Sequence, residues 1–258
     1  MGGRLKAAGH CSRSLLEQAL GLARLGVMVY PALPSKAPAC RNGFKDASCD
    51  EAIVRWLFER APSADRIGMP TGAVTGIAVI DVDPAGFKWL DGNLHRLPPT
   101  RTHSTPRGGR HLFFRHPPGL RCSTGKLSAG IDIRADGGCI IIAGPGYAVV
   151  DRSPIADFPE FVLGSLAWLD RLAAQRLAEI VRRYRRSGRG EVSETRLADF
   201  VRRLPRGERN TGLHWAACRA GDGGSSGAAL VAAAIATGLS SREAQKTVDS
   251  GLDRGRQS

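Results

Sequence analysis

The sequence has no apolar run that reaches the roughly 18 residues of a membrane-spanning helix. Residues 1–13 also have no apolar segment of the kind that forms the core of a secretory signal peptide. These two absences argue against the membrane and secreted classes. We therefore expect a cytoplasmic protein with no membrane partner.

Motifs for zinc and for ATP hydrolysis are also missing. The six cysteines include no C-x-x-C pair, so a zinc site is unsupported and the thiols are expected to stay reduced. Cys139 precedes an apolar run and is predicted to be a small core residue. The segment from Gly119 to Lys126 has five residues between its glycines, where a P-loop has four. We therefore expect any helicase to be a separate partner.

Acidic residues are too few to balance the basic ones. The chain has 24 acidic and 37 basic residues, a net charge of +13. Residues 171–209 hold 12 arginines and 5 acidic residues, which gives this segment +7 of that charge. Such an excess predicts a polyanionic partner, most simply nucleic acid. The alternative is a basic surface that only reflects an arginine-rich genome.

Helical and strand patterns are mixed before Leu166, and only helical patterns follow it. We therefore predict an α+β fold. A mixed domain at 12–165 precedes a basic helix and linker at 166–192, with a hinge at 187–190. A small all-α helical bundle at 193–258 completes the chain.

Two helices near the start of the chain have clear signals. Residues 14–25 are predicted to form an amphipathic helix. Ser48 to Glu51 has the sequence of a capping box and should open a second helix. The spacing of Ile53, Trp56 and Leu57 predicts that these side chains form the apolar face of the second helix.

The most informative stretch runs from Gly76 to Pro84, where four apolar residues lead into Asp81 and Asp83. Residues two apart in a strand share a face, so both carboxylates should lie together at the end of a strand. Two close carboxylates repel each other unless a cation lies between them. The expected cation is Mg²⁺ or Mn²⁺, which favours phosphoryl or nucleotidyl transfer.

A glycine-rich turn with two arginines follows at Ser104 to Phe114 and enters a strand at His111. Glycines let backbone N–H groups approach phosphates, and arginines complement the phosphate charge. His111 is thus a candidate ligand of a triphosphate oxygen. A histidine at the start of a strand is, however, more often structural.

Gly130 to Arg134 places Asp132 and Arg134 on one strand face and two isoleucines on the other. Asp132 would supply the third carboxylate of a two-metal site, or would form only an ordinary surface pair with Arg134. Lys36 and Lys45 lie in a proline-bounded loop, where solvated lysines are the default interpretation.

Three functions are compatible with these features. A template-directed nucleotidyltransferase accounts for all of them. A metal-dependent glycosyltransferase with a D-x-D motif explains Asp81 and Asp83, but not His111, Asp132 or the basic segment. A non-catalytic nucleic-acid-binding replication module is the third.

The order of these motifs resembles the bifunctional primase–polymerase (Prim-Pol) domain of plasmid and phage replication proteins, in the archaeo-eukaryotic primase superfamily. The three family motifs match as Val79-Ile-Asp-Val-Asp83, Gly109-Arg-His111 and Ile131-Asp-Ile-Arg134. The resemblance covers about Leu15 to Asp151 and includes the K-x-P sequence at Lys36.

The resemblance implies an α/β unit paired with an RRM-like sheet, and a site between them. It implies Mg²⁺ or Mn²⁺ bound by Asp81, Asp83 and Asp132, with nucleoside triphosphates and a single-stranded DNA template as partners. The residues implied to bind the nucleotide are His111, Gly109, Arg110, Arg134 and Lys36.

The sequence departs from the family pattern after the third motif and resembles it again near the C-terminal helices. Ala143-Gly-Pro-Gly146 replaces a common P-P-S sequence and Cys139 replaces a common aromatic, which affects nucleotide or template contacts rather than the metal site. Arg206-Gly-Glu-Arg-Asn210 resembles the helical region that follows such domains. That region would hold the template or the initiating nucleotide.

Overall fold

The computed structural model describes residues 14–186, 193–205 and 207–257. The chain divides into two compact units, with the division after Leu166. The elements of the first unit are α1 (Leu15–Arg24), β1 (Tyr30–Ala32), α2 (Glu51–Glu59), β2 (Arg66–Pro70), β3 (Ile77–Val82), α3 (Phe87–Asn93), β4 (Thr102–Ser104), β5 (Arg110–Arg115), β6 (Ser123–Thr124), β7 (Ile131–Arg134), β8 (Cys139–Ala143), β9 (Ala148–Asp151) and β10 (Ala156–Asp157). Helix α4 (Glu160–Arg186) runs across the division.

Two sheets form the first unit. The smaller has the strand order β1-β2-β8, and the larger has the order β6-β7-β3-β5-β4-β9 with β10 added parallel to β5. The other described pairings are antiparallel, and β3 lies between β5 and β7 in the larger sheet. The mixture of helices with antiparallel sheets confirms the α+β expectation.

Both faces of the larger sheet carry buried apolar residues, and the alternation along β3 shows which face also carries the site. Ala78, Ile80 and Val82 pack on one side in a cluster that includes residues of α4. Val79 points to the other side and packs with Met69 and Ile140 of the smaller sheet. Asp81 has the same parity as Val79, so its side chain faces the smaller sheet.

The first two helices form near the predicted positions, but the predicted cap of the second is wrong. Helix α1 is capped by Ser14 in a capping box with Glu17. Helix α2 is capped by Asp50 rather than by Ser48, because the Asp50 carboxylate accepts bonds from the amides of Ala52 and Ile53 at 2.8 and 3.0 Å. The predicted capping box at Ser48 is therefore wrong.

The predicted apolar face of α2 is also wrong in two of its three residues. Ile53 is 48% exposed and Trp56 is 56% exposed, whereas Val54, Leu57 and Phe58 are buried. The Trp56 ring instead lies under the Arg60 guanidinium at 5.0 Å. This stacking covers part of an aromatic side chain that would otherwise be fully solvated.

In the described residues of the second unit, all of the secondary-structure elements are helices. This unit contains the C-terminal part of α4 and four further helices: α5 (Glu194–Arg202), α6 (Arg209–Asp222), α7 (Ala228–Ala236) and α8 (Ser241–Arg256). Residues of α5 to α8 share one buried apolar core, against which Leu177, Ile180 and Val181 pack. A Cβ added at Gly251 or Gly255 would collide with α6, so α8 lies unusually close to that helix.

The hinge predicted at 187–190 lies outside the described residues, as does Arg206 of the Arg206–Asn210 motif. None of the described helices combines the length and the apolar character that a bilayer span requires.

Candidate active site

Neighbouring strands of the larger sheet carry the predicted site residues at one level. Asp81 on β3 stands directly opposite His111 on β5 and Asp132 on β7. Residues that are directly opposite point to the same face, so these side chains form a row across the sheet. His103 on β4 continues the row beyond His111.

A cavity of about 420 Å³ lies beside this row, with walls from both sheets. The larger sheet, its glycine-rich turn and the loop after β1 contribute the charged groups, and the strands of the smaller sheet contribute mainly apolar ones. The lining residues are Asp81, Asp83, Arg107, His111, Arg134, Ser35, Lys36, Tyr30, Cys139, Ile140, Ile141 and Tyr147. Two carboxylates, three permanent cations and a histidine therefore meet in one space.

Asp81 lies deepest among the acidic groups of this cavity. His111 Nε2 is 3.4 Å from its Oδ1, and Arg134 Nε is 3.6 Å from its Oδ2. Burial alone would raise the pKa of Asp81, but the hydrogen bond from His111 and the charges of His111, Arg134 and Lys36 lower it below its usual value. Asp81 is therefore a carboxylate at neutral pH.

Asp83 follows β3 directly and is more exposed. Its Oδ1 accepts a bond from Arg107 Nη2 at 3.1 Å. The turn that carries Arg107 lies tightly against β3, because a Cβ on Gly109 would collide with the carbonyl oxygen of Val82. Gly109 thus has a steric role: it lets the turn place Arg107 over Asp83.

Asp132 is aligned with Asp81 but is engaged by protein donors. Its Oδ1 accepts a bond from the Gly125 amide at 2.9 Å, and its Oδ2 accepts one from Arg134 Nη2 at 2.6 Å. It is not part of the cavity lining. Within the described ranges, no three His, Cys, Asp or Glu side chains are placed to share a metal ion.

The remaining predicted residues differ in their placement. Lys36 lines the cavity and has a φ of +69°, in the left-handed region that non-glycine residues seldom adopt. Arg110 is next to His111 on β5 and therefore points to the opposite face, where its Nη1 donates to the Gly109 carbonyl at 3.2 Å. The structure brings Lys36 to the site and does not bring Arg110 there.

Seven of the twelve lining residues were not predicted for the site, and three of these seven bear on its chemistry. Arg107 belongs to the glycine-rich turn. The presence of two arginines in that turn was the sequence feature that could have indicated Arg107 as a site residue. Cys139 packs against a buried apolar cluster, which agrees in part with its prediction as a core residue, but it is only partly buried and also lines the cavity. Tyr147 lies with its ring centroid 5.9 Å from that of His111. It follows the unusual Ala143–Gly146 sequence, which gave no direct indication of its position.

Asp81 and Asp83 are the residues that fit a divalent cation. Both offer carboxylate oxygens to the cavity, and oxygen is the ligand that Mg²⁺ and Mn²⁺ prefer. Magnesium in phosphate-handling sites is commonly held by one or two carboxylates together with phosphates of the substrate. The donor set therefore suits a metal that arrives with, or is completed by, a phosphorylated ligand.

Comparison with known proteins gives one family match. The family described as "Bifunctional DNA primase/polymerase, N-terminal" (Prim-Pol) matches residues 19–161, more than half of the chain and all of the cavity lining. No curated protein matches the sequence. Among solved structures, the crystal structure of primase RepB′ is similar with a TM-score of 0.40 and 13% identity, over 94% of this chain and 98% of that one.

Proposed function

Because the chain belongs to the Prim-Pol family of bifunctional DNA primase/polymerase N-terminal domains, we propose that it is a template-directed nucleotidyltransferase, acting as a DNA primase, a DNA polymerase or both. The observation that carries the proposal is the cavity in which Asp81 and Asp83 face Lys36, Arg107, Arg134 and His111. A D-x-D glycosyltransferase would need the carboxylates but not this set of cations.

The cations and His111 would bind the triphosphate of the incoming nucleotide. Arginine donates in a fork that matches phosphate oxygens, and lysine acts as a point charge. Arg107 and Arg134 now pair with Asp83 and Asp132. A bound triphosphate would compete for both arginines and would release carboxylate oxygens.

Asp81 and Asp83 would hold Mg²⁺ or Mn²⁺, in a two-metal arrangement that Asp132 joins when Arg134 turns to the phosphates. When bound, these ions lower the pKa of an attacking hydroxyl and neutralise charge on the phosphates. Asp81 would be ready to bind a metal ion, because its lowered pKa keeps the carboxylate ionised before the metal arrives.

The reaction would be attack of a 3′-hydroxyl on the α-phosphate, with pyrophosphate as the leaving group. His111 Nε2 is 3.4 Å from Asp81 Oδ1, and the His111 ring is close to the rings of Tyr147 and Phe113, so it has little freedom. Held in this way, His111 would donate a hydrogen bond to a phosphate oxygen. The arginines would stabilise the charge that develops on the leaving group.

The basic helices would hold a single-stranded DNA template through its phosphates. A role in plasmid, phage or mobile-element replication, alongside a separate helicase, completes the proposal. A non-catalytic replication module would bind DNA equally well, so the decisive experiment has to measure synthesis.

The test is primer synthesis and primer extension on single-stranded DNA, with ATP and dNTPs and with Mg²⁺ or Mn²⁺. We expect metal-dependent products from the wild-type chain and none from Asp81→Asn or Asp83→Asn. Asp91→Asn, an exposed change on α3, is the matched control and should retain activity. Full synthesis by either site variant, or none by the wild type, would contradict the proposal.

A further inference from the structure

Tyr147 is chemically unlike the charged groups around it in the cavity. The charged groups near the row suit phosphates and metal ions. Tyr147, like the apolar residues of the smaller sheet that line the cavity, is uncharged, and it offers a half-buried aromatic ring. Burial raises the pKa of Tyr147, the charge of Asp81 adds to this effect, and Arg66 and Arg107 oppose it. The phenol therefore stays protonated at neutral pH and gives the cavity a neutral aromatic wall.

The position of this ring is fixed by the chain on either side. Tyr147 ends the turn that crosses from β8 in the smaller sheet to β9 in the larger one, and its amide donates to the Gly144 carbonyl at 3.1 Å. A Cβ on Gly144 would lie 2.8 Å from Arg66 Cγ, and one on Gly146 would lie 2.9 Å from Pro106. The turn is thus wedged between two segments, which leaves Tyr147 little room to move.

The Tyr147 ring also lies close to His111, the side chain that we propose binds the phosphates. Its centroid is 5.9 Å from that of His111, at an interplanar angle of 42°. In a nucleoside triphosphate the ribose is bonded directly to the α-phosphate, and the base is farther away. With His111 on an oxygen of the α-phosphate, the Tyr147 ring beside it would lie next to the sugar rather than next to the base.

We propose that Tyr147 is a specificity-determining residue that packs against C2′ of the incoming nucleotide and excludes a 2′-hydroxyl, so that dNTPs are preferred over NTPs. This inference rests on the proposed function. A 2′-hydroxyl pressed against the ring would lose its water without gaining a hydrogen-bond partner there, which is costly. The opposite possibility is that the phenol oxygen bonds to the 2′-hydroxyl, which would favour NTPs.

The test compares kcat/KM for dATP and ATP opposite a template thymine. For Tyr147→Ala we expect the dATP-to-ATP ratio to fall by roughly tenfold or more, chiefly through improved use of ATP. Tyr147→Phe keeps the ring and should keep the ratio. Trp56→Ala, which removes an exposed aromatic outside the cavity, is the control and should leave it unchanged.

An unchanged ratio in Tyr147→Ala would overturn the inference, and so would an equal fall in Tyr147→Phe. Equilibrium binding of dATP and ATP to the wild type and to Tyr147→Ala provides a second readout that needs no turnover. If the wild type makes no product, the proposed function fails, and the binding ratio still decides the role of Tyr147. If Tyr147→Ala leaves the ratio of dATP affinity to ATP affinity unchanged, the proposed role of Tyr147 is rejected.

Discussion

Arg107 and Arg110 are three residues apart in sequence, but their surroundings differ. Arg107 lines the cavity and bonds to Asp83, whereas Arg110 bonds to a backbone carbonyl on the other face of β5. We expect Arg107→Ala to lower kcat/KM for the nucleotide by roughly tenfold to a hundredfold, because a charge-assisted contact to phosphate is lost. Arg110→Ala should change it by no more than about twofold in the same steady-state assay. The opposite ranking would show that the two side chains exchange roles when substrate binds.

His103 adds a dependence of stability on pH. Burial, followed by the charges of His111 and Arg101, lowers its pKa to about 4, against about 6.5 in an unfolded chain. The unfolded state therefore binds a proton more readily than the folded state does. This contribution is complete above pH of about 6.5 and is lost progressively as the pH falls towards about 4.

Urea unfolding at pH 7.5, 5.5 and 4.5 would test this expectation. The free energy of unfolding of the wild type should decline more steeply with acid than that of His103→Gln, which cannot take up the proton. His95→Gln, at an exposed position, is the control and should follow the wild type. Equal slopes for the wild type and His103→Gln would rule out His103 as the source.

For individual residues, the sequence predicts the position of strand side chains better than that of loop side chains. Asp81, His111 and Arg134 could be predicted because alternation in a strand fixes the face of each side chain once its neighbours are apolar. Tyr147 could not be predicted, because its place in the cavity depends on the turn that crosses from β8 in the smaller sheet to β9 in the larger one. The bond from the Gly125 amide to Asp132 likewise depends on the conformation of a turn.

The close approach of two elements gives a further prediction. A methyl group on Gly109 would collide with the Val82 carbonyl oxygen, so Gly109→Ala should push the turn away from the end of β3. We expect a loss of about 1–3 kcal/mol in the free energy of unfolding, together with reduced activity as Arg107 moves from Asp83. Gly92→Ala has nothing within 4 Å and lies in α3, so it should be neutral or slightly stabilising. Thermal unfolding of both variants measures the difference, and equal stabilities would contradict it.

Helix α2 shows which properties of an element a local pattern leaves open. Ser48 and Asp50 are both good capping residues, and only the path of the chain decides that Asp50 bonds to the first amides. The exposure of Trp56 depends on the neighbouring elements and on Arg60. Strands β6 and β10 have two residues each, too few to carry a periodic signal. By contrast, β8 runs from Cys139 to Ala143, as its uninterrupted apolar sequence predicts.

For the whole molecule, the question is whether the net charge of +13 serves binding or only reflects composition. Helix α4 carries exposed arginines at 171, 176 and 182. A helix whose arginines contact a template would release counterions from the DNA on binding, and its affinity would depend steeply on salt. A basic surface that is only compositional would contribute weakly and without a preferred location.

Replacing Arg171, Arg176 and Arg182 together by alanine distinguishes these cases. We expect weaker binding of single-stranded DNA at every salt concentration, and a slope of log affinity against log salt that is smaller by up to about 2, since each contact to a single strand contributes about 0.7. Fluorescence anisotropy with a labelled oligonucleotide between 50 and 300 mM salt, a range of about sixfold, measures both quantities. Arg24→Ala and Arg55→Ala, changes of exposed arginines on α1 and α2, form the control. If they reduce the slope per arginine as much as the α4 changes do, the positive charge acts as a diffuse field and α4 is not a template contact.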